Sequence, residues 1–191
     1  MDPKTKWNKK YNERLIHLET PVPNARLNQL SSYLRGGTAL DLACGLGGNS
    51  LFLAKLNYSV RAMDISDVAV KYLQSMAEKE GVAVSAVTAD LENISSLSFE
   101  SNSFDLVVIT YYLNRPLLSL VKSLLKEDGY FFMETYYHSP ENGNQKISAR
   151  YMLQSNELLS QFKEWKILYF KENQEEGRQT IFCQKTGGVC T

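Results

Sequence analysis

Ala39-Leu-Asp-Leu-Ala-Cys-Gly-Leu-Gly-Gly-Asn49 is the stretch whose reading decides the fold. Thr38–Ala43 (TALDLA) is a short apolar run of the kind that forms a buried strand, and Gly48–Leu56 reads as the helix after it. Gly45 and Gly47, between them, let the backbone turn tightly and approach a ligand with no Cβ in the way. The helix start beyond offers unpaired N–H groups to a carboxylate or phosphate. Such a loop can also serve only as a turn, so its neighbours must decide.

Outward from the loop, short apolar runs alternate with amphipathic ones, the pattern of βαβ units and a mostly parallel sheet. Val60–Met63 reads as a second strand. Ser66 suits the N-cap of a helix over Asp67–Glu80, with Gly81 just past its end and Val68, Tyr72, Leu73 and Met76 on one face. Val82–Val87 is a third strand, followed by a serine-rich loop. Phe104–Ile109 (FDLVVI) reads as fully buried, and Pro116 opens a helix to about Lys126. Asp128-Gly129 is expected to turn into strand Tyr130–Tyr136. A short helix near Asn156–Phe162 leads to a hairpin of Trp165–Phe170 and Gln179–Gln184. Helices over Trp7–Leu18 and Asn24–Leu34 flank a break at Pro21–Pro23. Helices, five alternating β/α units and a terminal hairpin make the expected α/β architecture.

Composition bounds the function. The chain has 191 residues, with 21 Lys+Arg against 21 Asp+Glu, which favours a single domain and a neutral surface. Phosphate affinity rests on clustered Lys and Arg. The basic run Lys4, Lys6, Lys9, Lys10 and Arg14 reads as a solvated helix face, so no nucleic acid is expected as partner. No apolar run approaches the ~20 residues of a membrane span, and the N-terminus lacks the apolar core of a secretory signal. Cys44, Cys183 and Cys190 form no CxxC pair and read as free thiols in a reducing cytosol. No His/Cys/Asp cluster has metal-ligand spacing. The expectation is a cytoplasmic domain, monomer or homodimer, without metal or membrane.

Two acids sharpen the loop. Asp64 closes the second strand, nineteen residues after Gly45, where a carboxylate can accept from both hydroxyls of a ribose. Asp90-Leu91 follows the third strand, placed for a polar contact to an adenine edge with an apolar side chain against the ring. Together they read as an adenosine-bearing cofactor laid across strand tips. A nicotinamide dinucleotide would want G-x-G-x-x-G, and Ser50 breaks that frame.

The set Asp41, Ala43, Gly45 and Gly47 resembles the first motif of the class I S-adenosylmethionine-dependent methyltransferases, acid-x-Gly-x-Gly-x-Gly. Ala43 stands where the family has its first glycine and is expected not to take a positive φ. The resemblance continues through MDIS (Asp64, Ile65), TADLEN (Asp90, Leu91) and SFDLVVI, covering about residues 36–136. WNxxY at Trp7–Tyr11, YYLNRPLL after the fourth strand and METY at the fifth are similar to small bacterial methyltransferases of the tellurite-resistance type. The resemblance implies a Rossmann-like, seven-stranded, mostly parallel sheet with a reversed terminal strand and helices on both faces. It also implies S-adenosyl-L-methionine as cofactor, held by Asp41, Ala43, Gly45, Gly47, Asp64, Ile65, Asp90, Leu91 and Tyr111. An N-terminal cap (1–35) would place Trp7 and Tyr11 over the cofactor-binding core (36–136), and 137–191 would supply the substrate-side loop and hairpin.

Methyl transfer from a sulfonium releases a neutral thioether, so alignment of nucleophile and methyl carbon can supply most of the rate. Substrate-side candidates beyond strands four and five are Tyr111, Tyr112, Asn114, Arg115, Glu134, Tyr136, Tyr137 and His138. Tyr112 or Tyr137 could orient a lone pair and His138 could take a proton. Arg115 reads as a surface ion pair or an anion contact, and Cys44 as packing. The acceptor expected is a small-molecule nucleophile: a thiol, an oxyanion or similar. A non-catalytic cofactor-binding or scaffold module is the alternative, and a nicotinamide-dependent oxidoreductase a weaker one. Tyr137–Ser155 is long and polar, open to a lid role or to none.

Overall fold

The computed structural model describes residues 2–139 and 147–187. Part of the polar stretch 137–155, namely 140–146, lies outside the described residues, as does Cys190. Seven strands form one sheet in the order β3-β2-β1-β4-β5-β7-β6. They are β1 (Gly37–Leu42), β2 (Tyr58–Asp64), β3 (Val84–Thr88), β4 (Phe104–Thr110), β5 (Leu125–Tyr136), β6 (Lys166–Asn173) and β7 (Arg178–Gln184). β1–β2, β2–β3 and β4–β5 pair in parallel; β7 runs antiparallel to both β5 and β6. This is the α/β, Rossmann-like sheet with a reversed terminal strand that the alternating runs and the family resemblance anticipate. The chain divides into two compact units, Met1–Ser98 and Phe99–Thr191.

In the first unit, α1 (Pro3–Ile16), α2 (Ala25–Gln29), α3 (Gly48–Lys55) and α4 (Asp67–Glu80) accompany β1 to β3. α4 matches its expected bounds: the Ser66 hydroxyl accepts from the Ala69 N–H at 3.2 Å, and Gly81 closes the helix at φ +64°. Val70, Leu73 and Ala77 join Leu51, Ala62 and Ala86 in one buried cluster, each full aliphatic burial contributing about 1.5–3 kcal/mol.

Three expectations shift here. α1 starts four residues before Trp7, because Asp2 caps it through the Thr5 N–H at 3.0 Å and Pro3 suits its first turn. It stops at Ile16, since Leu18 turns left-handed at φ +54°. Instead of a helix over Asn24–Leu34, the chain forms α2 and a 3-10 turn at Ser31–Tyr33. Ser31 and Ser32 are poor interior helix residues because their hydroxyls compete for the backbone. No α-helix joins β3 to β4 among the described residues. A 3-10 turn at Ile94–Ser96 stands there, with the Ser95 and Ser96 hydroxyls both bonded back to Asn93.

The second unit holds β4 to β7 with α5 (Arg115–Leu124) and α6 (Glu157–Gln161). Leu106 to Ile109 of β4 are buried without a break, as a central parallel strand requires. α5 buries Leu117, Leu118, Val121 and Leu124. The expected turn at Asp128-Gly129 is instead a bend inside one long strand. Asp128 takes φ +62°, and Lys185 stitches both sides of it: its carbonyl accepts from the Asp128 N–H at 3.0 Å and its own N–H donates to the Gly129 carbonyl at 2.8 Å. β7 prevents the chain from reversing.

Candidate functional site

In the first unit the glycine loop carries β1 into α3. Gly45 sits at φ +54° and Gly47 at φ +85°, both left-handed conformations that favour glycine. A Cβ on Gly47 would overlap the Leu73 side chain. Ala43 occupies the same region at φ +58°, contrary to expectation. The turn leaving β1 requires that dihedral whichever residue stands there, so the alanine carries the strain.

Asp64, at the tip of β2, points back at this loop. Its Oδ2 accepts from the Gly45 N–H and its Oδ1 from the Ser66 N–H, each at 2.9 Å, and the residue is buried. Burial raises its pKa, and the two amides partly offset that. A carboxylate has about four lone-pair sites, so two amide bonds fix its orientation while leaving acceptor capacity for a ligand's hydroxyls.

Asp41, beneath the loop, is wholly buried. Its Oδ2 accepts from the Ser50 hydroxyl at 2.6 Å, while Oδ1 has no hydrogen-bond partner. Burial pushes its pKa up to about 7. Ser50 thus uses the dinucleotide motif's third-glycine position to hold Asp41. Ile65 is half-buried beyond Asp64. At the tip of β3, Asp90 is exposed and its Oδ1 accepts from the Glu92 N–H at 2.9 Å, whereas Leu91 is buried. The Ala89 N–H donates to the Asp64 carbonyl at 2.9 Å, tying this tip to that of β2.

α1 lies on the same loop. Tyr11, Leu46 and Ala69 form a buried cluster with Trp7, Leu15, Val68 and Tyr72 packed against it. The Trp7 and Tyr11 rings stack at 5.6 Å, and a Cβ on Gly45 would come within 2.9 Å of the Tyr11 hydroxyl. The face that glycine leaves bare is therefore filled by a tyrosine. Burial and the Asp64 charge push the Tyr11 phenol far above its ordinary pKa, so it is a neutral donor. Asn8 fastens the helix: its Nδ2 donates to Asp67 Oδ1 and its Oδ1 accepts from the Ser66 hydroxyl, each at 2.6 Å. Asn8 stands inside the WNxxY motif, yet nothing in the sequence marks its partners. Burial raises the Cys44 thiol well above its usual pKa, so it is packing and no nucleophile.

The residues suit an adenosyl ligand bearing a cationic head. An oriented carboxylate stands at a strand tip, a buried unpartnered carboxylate oxygen lies below the loop, and glycines line the backbone. Among the described residues no group of three or more His, Cys, Asp or Glu is placed to hold a metal ion.

In the second unit, the carboxyl ends of β4 and β5 and the start of β7 bring another set together. Tyr111, Glu134, Tyr136, Arg178 and Thr180 meet there, Glu134 opposite Thr180 and Tyr136 opposite Arg178. Arg178 and Thr180 are not legible as site residues, because only strand pairing joins them to Glu134. Tyr112 is half-buried, and His138 is exposed, with its backbone N–H bonded to the Leu153 carbonyl at 2.8 Å. Tyr137 is almost wholly buried, and its hydroxyl has no hydrogen-bond partner. Arg115 forms a two-pronged ion pair with Glu157, at 2.7 and 2.9 Å, and so fastens the 150–157 segment to α5. That pair holds its pKa up and that of Glu157 down.

The chain is 28% identical over 180 residues to a Haemophilus influenzae (strain KW20 / Rd) protein named "Probable S-adenosyl-L-methionine-dependent methyltransferase TehB", covering 91% of this chain and 59% of that protein. It is 27% identical over 139 residues to a "Ubiquinone biosynthesis O-methyltransferase" of Glaesserella parasuis serovar 5, covering 69% and 59%. The chain thus spans about three-fifths of the length of these curated relatives. Among solved structures, that of TehB from Haemophilus influenzae superposes with a TM-score of 0.76 at 23% identity, over 96% of this chain and 67% of that one. The sequence profile of the family described as "Tellurite resistance protein TehB" matches residues 1–182, and the chain belongs to that family.

Proposed function

We propose that this protein transfers the methyl group of S-adenosyl-L-methionine to a small-molecule nucleophile. The observation that carries the reading is Asp64, buried at the tip of β2 and fastened to the Gly45 amide at 2.9 Å. Its free acceptor capacity suits a ribose diol. Asp41 Oδ1, unpartnered and buried, suits the ligand's ammonium. Leu91 offers an apolar surface for the base, and Tyr11 with Trp7 covers the loop. When bound, the cofactor supplies an electrophilic methyl carbon on a sulfonium.

What remains for the protein is to hold an acceptor in line with that carbon, an effect worth up to ~7–11 kcal/mol in favourable cases. The acceptor class follows the relatives only loosely, since one is named for O-methylation in ubiquinone biosynthesis and the family for tellurite resistance. A thiol, a hydroxyl or an oxyanion fits this reading, with no nucleic acid involved. We place the protein in the cytoplasm as a monomer or homodimer, which the free thiols Cys44 and Cys183 support. No helix among the described residues is long and apolar enough to cross a membrane.

Calorimetric titration with S-adenosylhomocysteine tests the reading. Asp64→Ala should weaken binding by about 1–3 kcal/mol, the cost of lost hydrogen bonds to a charged group. Equal affinity in wild type and variant would remove Asp64 from the site.

A further inference from the structure

Glu134 is wholly buried, and three neighbours converge on it. The Tyr111 phenol donates to its Oε1 at 3.0 Å, the Thr180 hydroxyl donates to Oε2 at 2.8 Å, and Nη1 of Arg178 stands 3.7 Å from Oε1. The same Nη1 lies 3.5 Å from Glu176 and donates to the Tyr111 hydroxyl at 3.3 Å. The Arg178 guanidinium sits over the Tyr111 ring at 4.9 Å and near that of Tyr136 at 5.8 Å. Two carboxylates therefore share one guanidinium, and aromatic faces flank it. Tyr111 is held at φ +57°, a strained conformation for a bulky residue and of the kind that concentrates at functional sites. The cluster stands at the carboxyl ends of β4 and β5, the end of a parallel sheet where ligands bind.

We propose that this cluster recognises the methyl acceptor and that Glu134 sets its charge, so that the acceptor is an uncharged thiol or hydroxyl compound and not a multiply charged oxyanion. The proposal rests on the methyl-transfer reading above. An arginine with an open fork is a strong anion binder. Here the protein supplies the anion itself, buried where solvent cannot screen it, and Glu176 adds a second. An incoming dianion meets an excess of negative charge, and like-charge juxtaposition is what excludes wrong partners. A neutral acceptor meets the Tyr111 phenol and the Tyr136 ring. Glu134 acts through Tyr111 and Arg178, which makes it a positioning residue.

Sulfate titrated calorimetrically into the full chain, with S-adenosylhomocysteine present and absent, tests this. Wild type should bind sulfate weakly, Glu134→Gln at least about tenfold more tightly, and Glu176→Gln a few-fold more tightly. Adding Arg178→Gln to Glu134→Gln should abolish the gain, which a merely loosened fold would not do. Sulfate binding as tight in wild type as in Glu134→Gln, or a gain that survives Arg178→Gln, would overturn the proposal. Should Glu134→Gln fail to fold, the surface variant Glu176→Gln decides, and no gain there counts against it. Wild type that methylates selenite faster than any neutral thiol or phenol would overturn it equally. Failure of the methyl-transfer reading itself would show separately, as absent S-adenosylhomocysteine binding in the same samples.

Discussion

At the scale of single residues, strain sits where the chain must turn towards a ligand. Ala43 at φ +58° and Tyr111 at φ +57° both lie just past the carboxyl end of a strand, where the backbone leaves the ladder abruptly. For Ala43 the left-handed dihedral costs about 1 kcal/mol that glycine would not bear, partly offset by the methyl contact and the added freedom of an unfolded glycine. Ala43→Gly should therefore raise stability, by up to about 1 kcal/mol in urea unfolding; a less stable variant would show that the methyl matters more than the dihedral. The glycine motif was legible because its residue types are themselves the constraint. The dihedral of Ala43 was not, since alanine carries no mark of the turn it has been placed in.

Elements differ in how they are tied. α4 is fixed by its own sequence, with Ser66 at one end, Gly81 at the other and an apolar face between. α1 is held from outside: its residues are mostly exposed, and its attachment runs through Tyr11, Trp7 and the two hydrogen bonds of Asn8. Asn8→Ala should cost about 1–2 kcal/mol, as two part-buried hydrogen bonds are lost. Its sharper signature is hydrogen exchange, which should quicken in α1 and stay unchanged in the interior of α4. Exchange rates unaltered in both would mean that the aromatic packing alone seats the helix. β5 shows the opposite case: a local turn signal, Asp128-Gly129, is overruled by pairing with β7, and the strand bends where it was expected to end.

For the molecule as a whole, equal numbers of acids and bases conceal an uneven distribution. Asp41 and Asp64 are buried without a cation within ion-pair distance among the printed pairs of the described residues, and burial raises both. Folded Asp41 keeps its proton up to about pH 7, whereas in the unfolded chain it loses it near 3.8. The folded state thus binds more protons within that window, and stability falls as pH rises through it. The total is on the order of 4 kcal/mol for this one group. Asp41→Asn should escape the penalty, gaining on wild type as urea unfolding is moved from pH 5 to pH 8; parallel profiles would show that Asp41 is ionised at both.

What the sequence determined by itself was whatever repeats locally. Alternating apolar runs specified strands and helices, the glycine loop specified the crossover, and the strand-tip acids specified an adenosine-sized ligand. These are interactions among residues near in the chain, written in residue type and spacing. Only the tertiary structure decided the rest. It brought Arg178 and Thr180 to Glu134 across more than forty residues, laid Asn8 against Ser66 and Asp67, and turned the Tyr11 phenol onto Gly45. Such contacts depend on strand register and helix docking, which minimise buried polar surface over the whole fold, and no single stretch of sequence carries that sum.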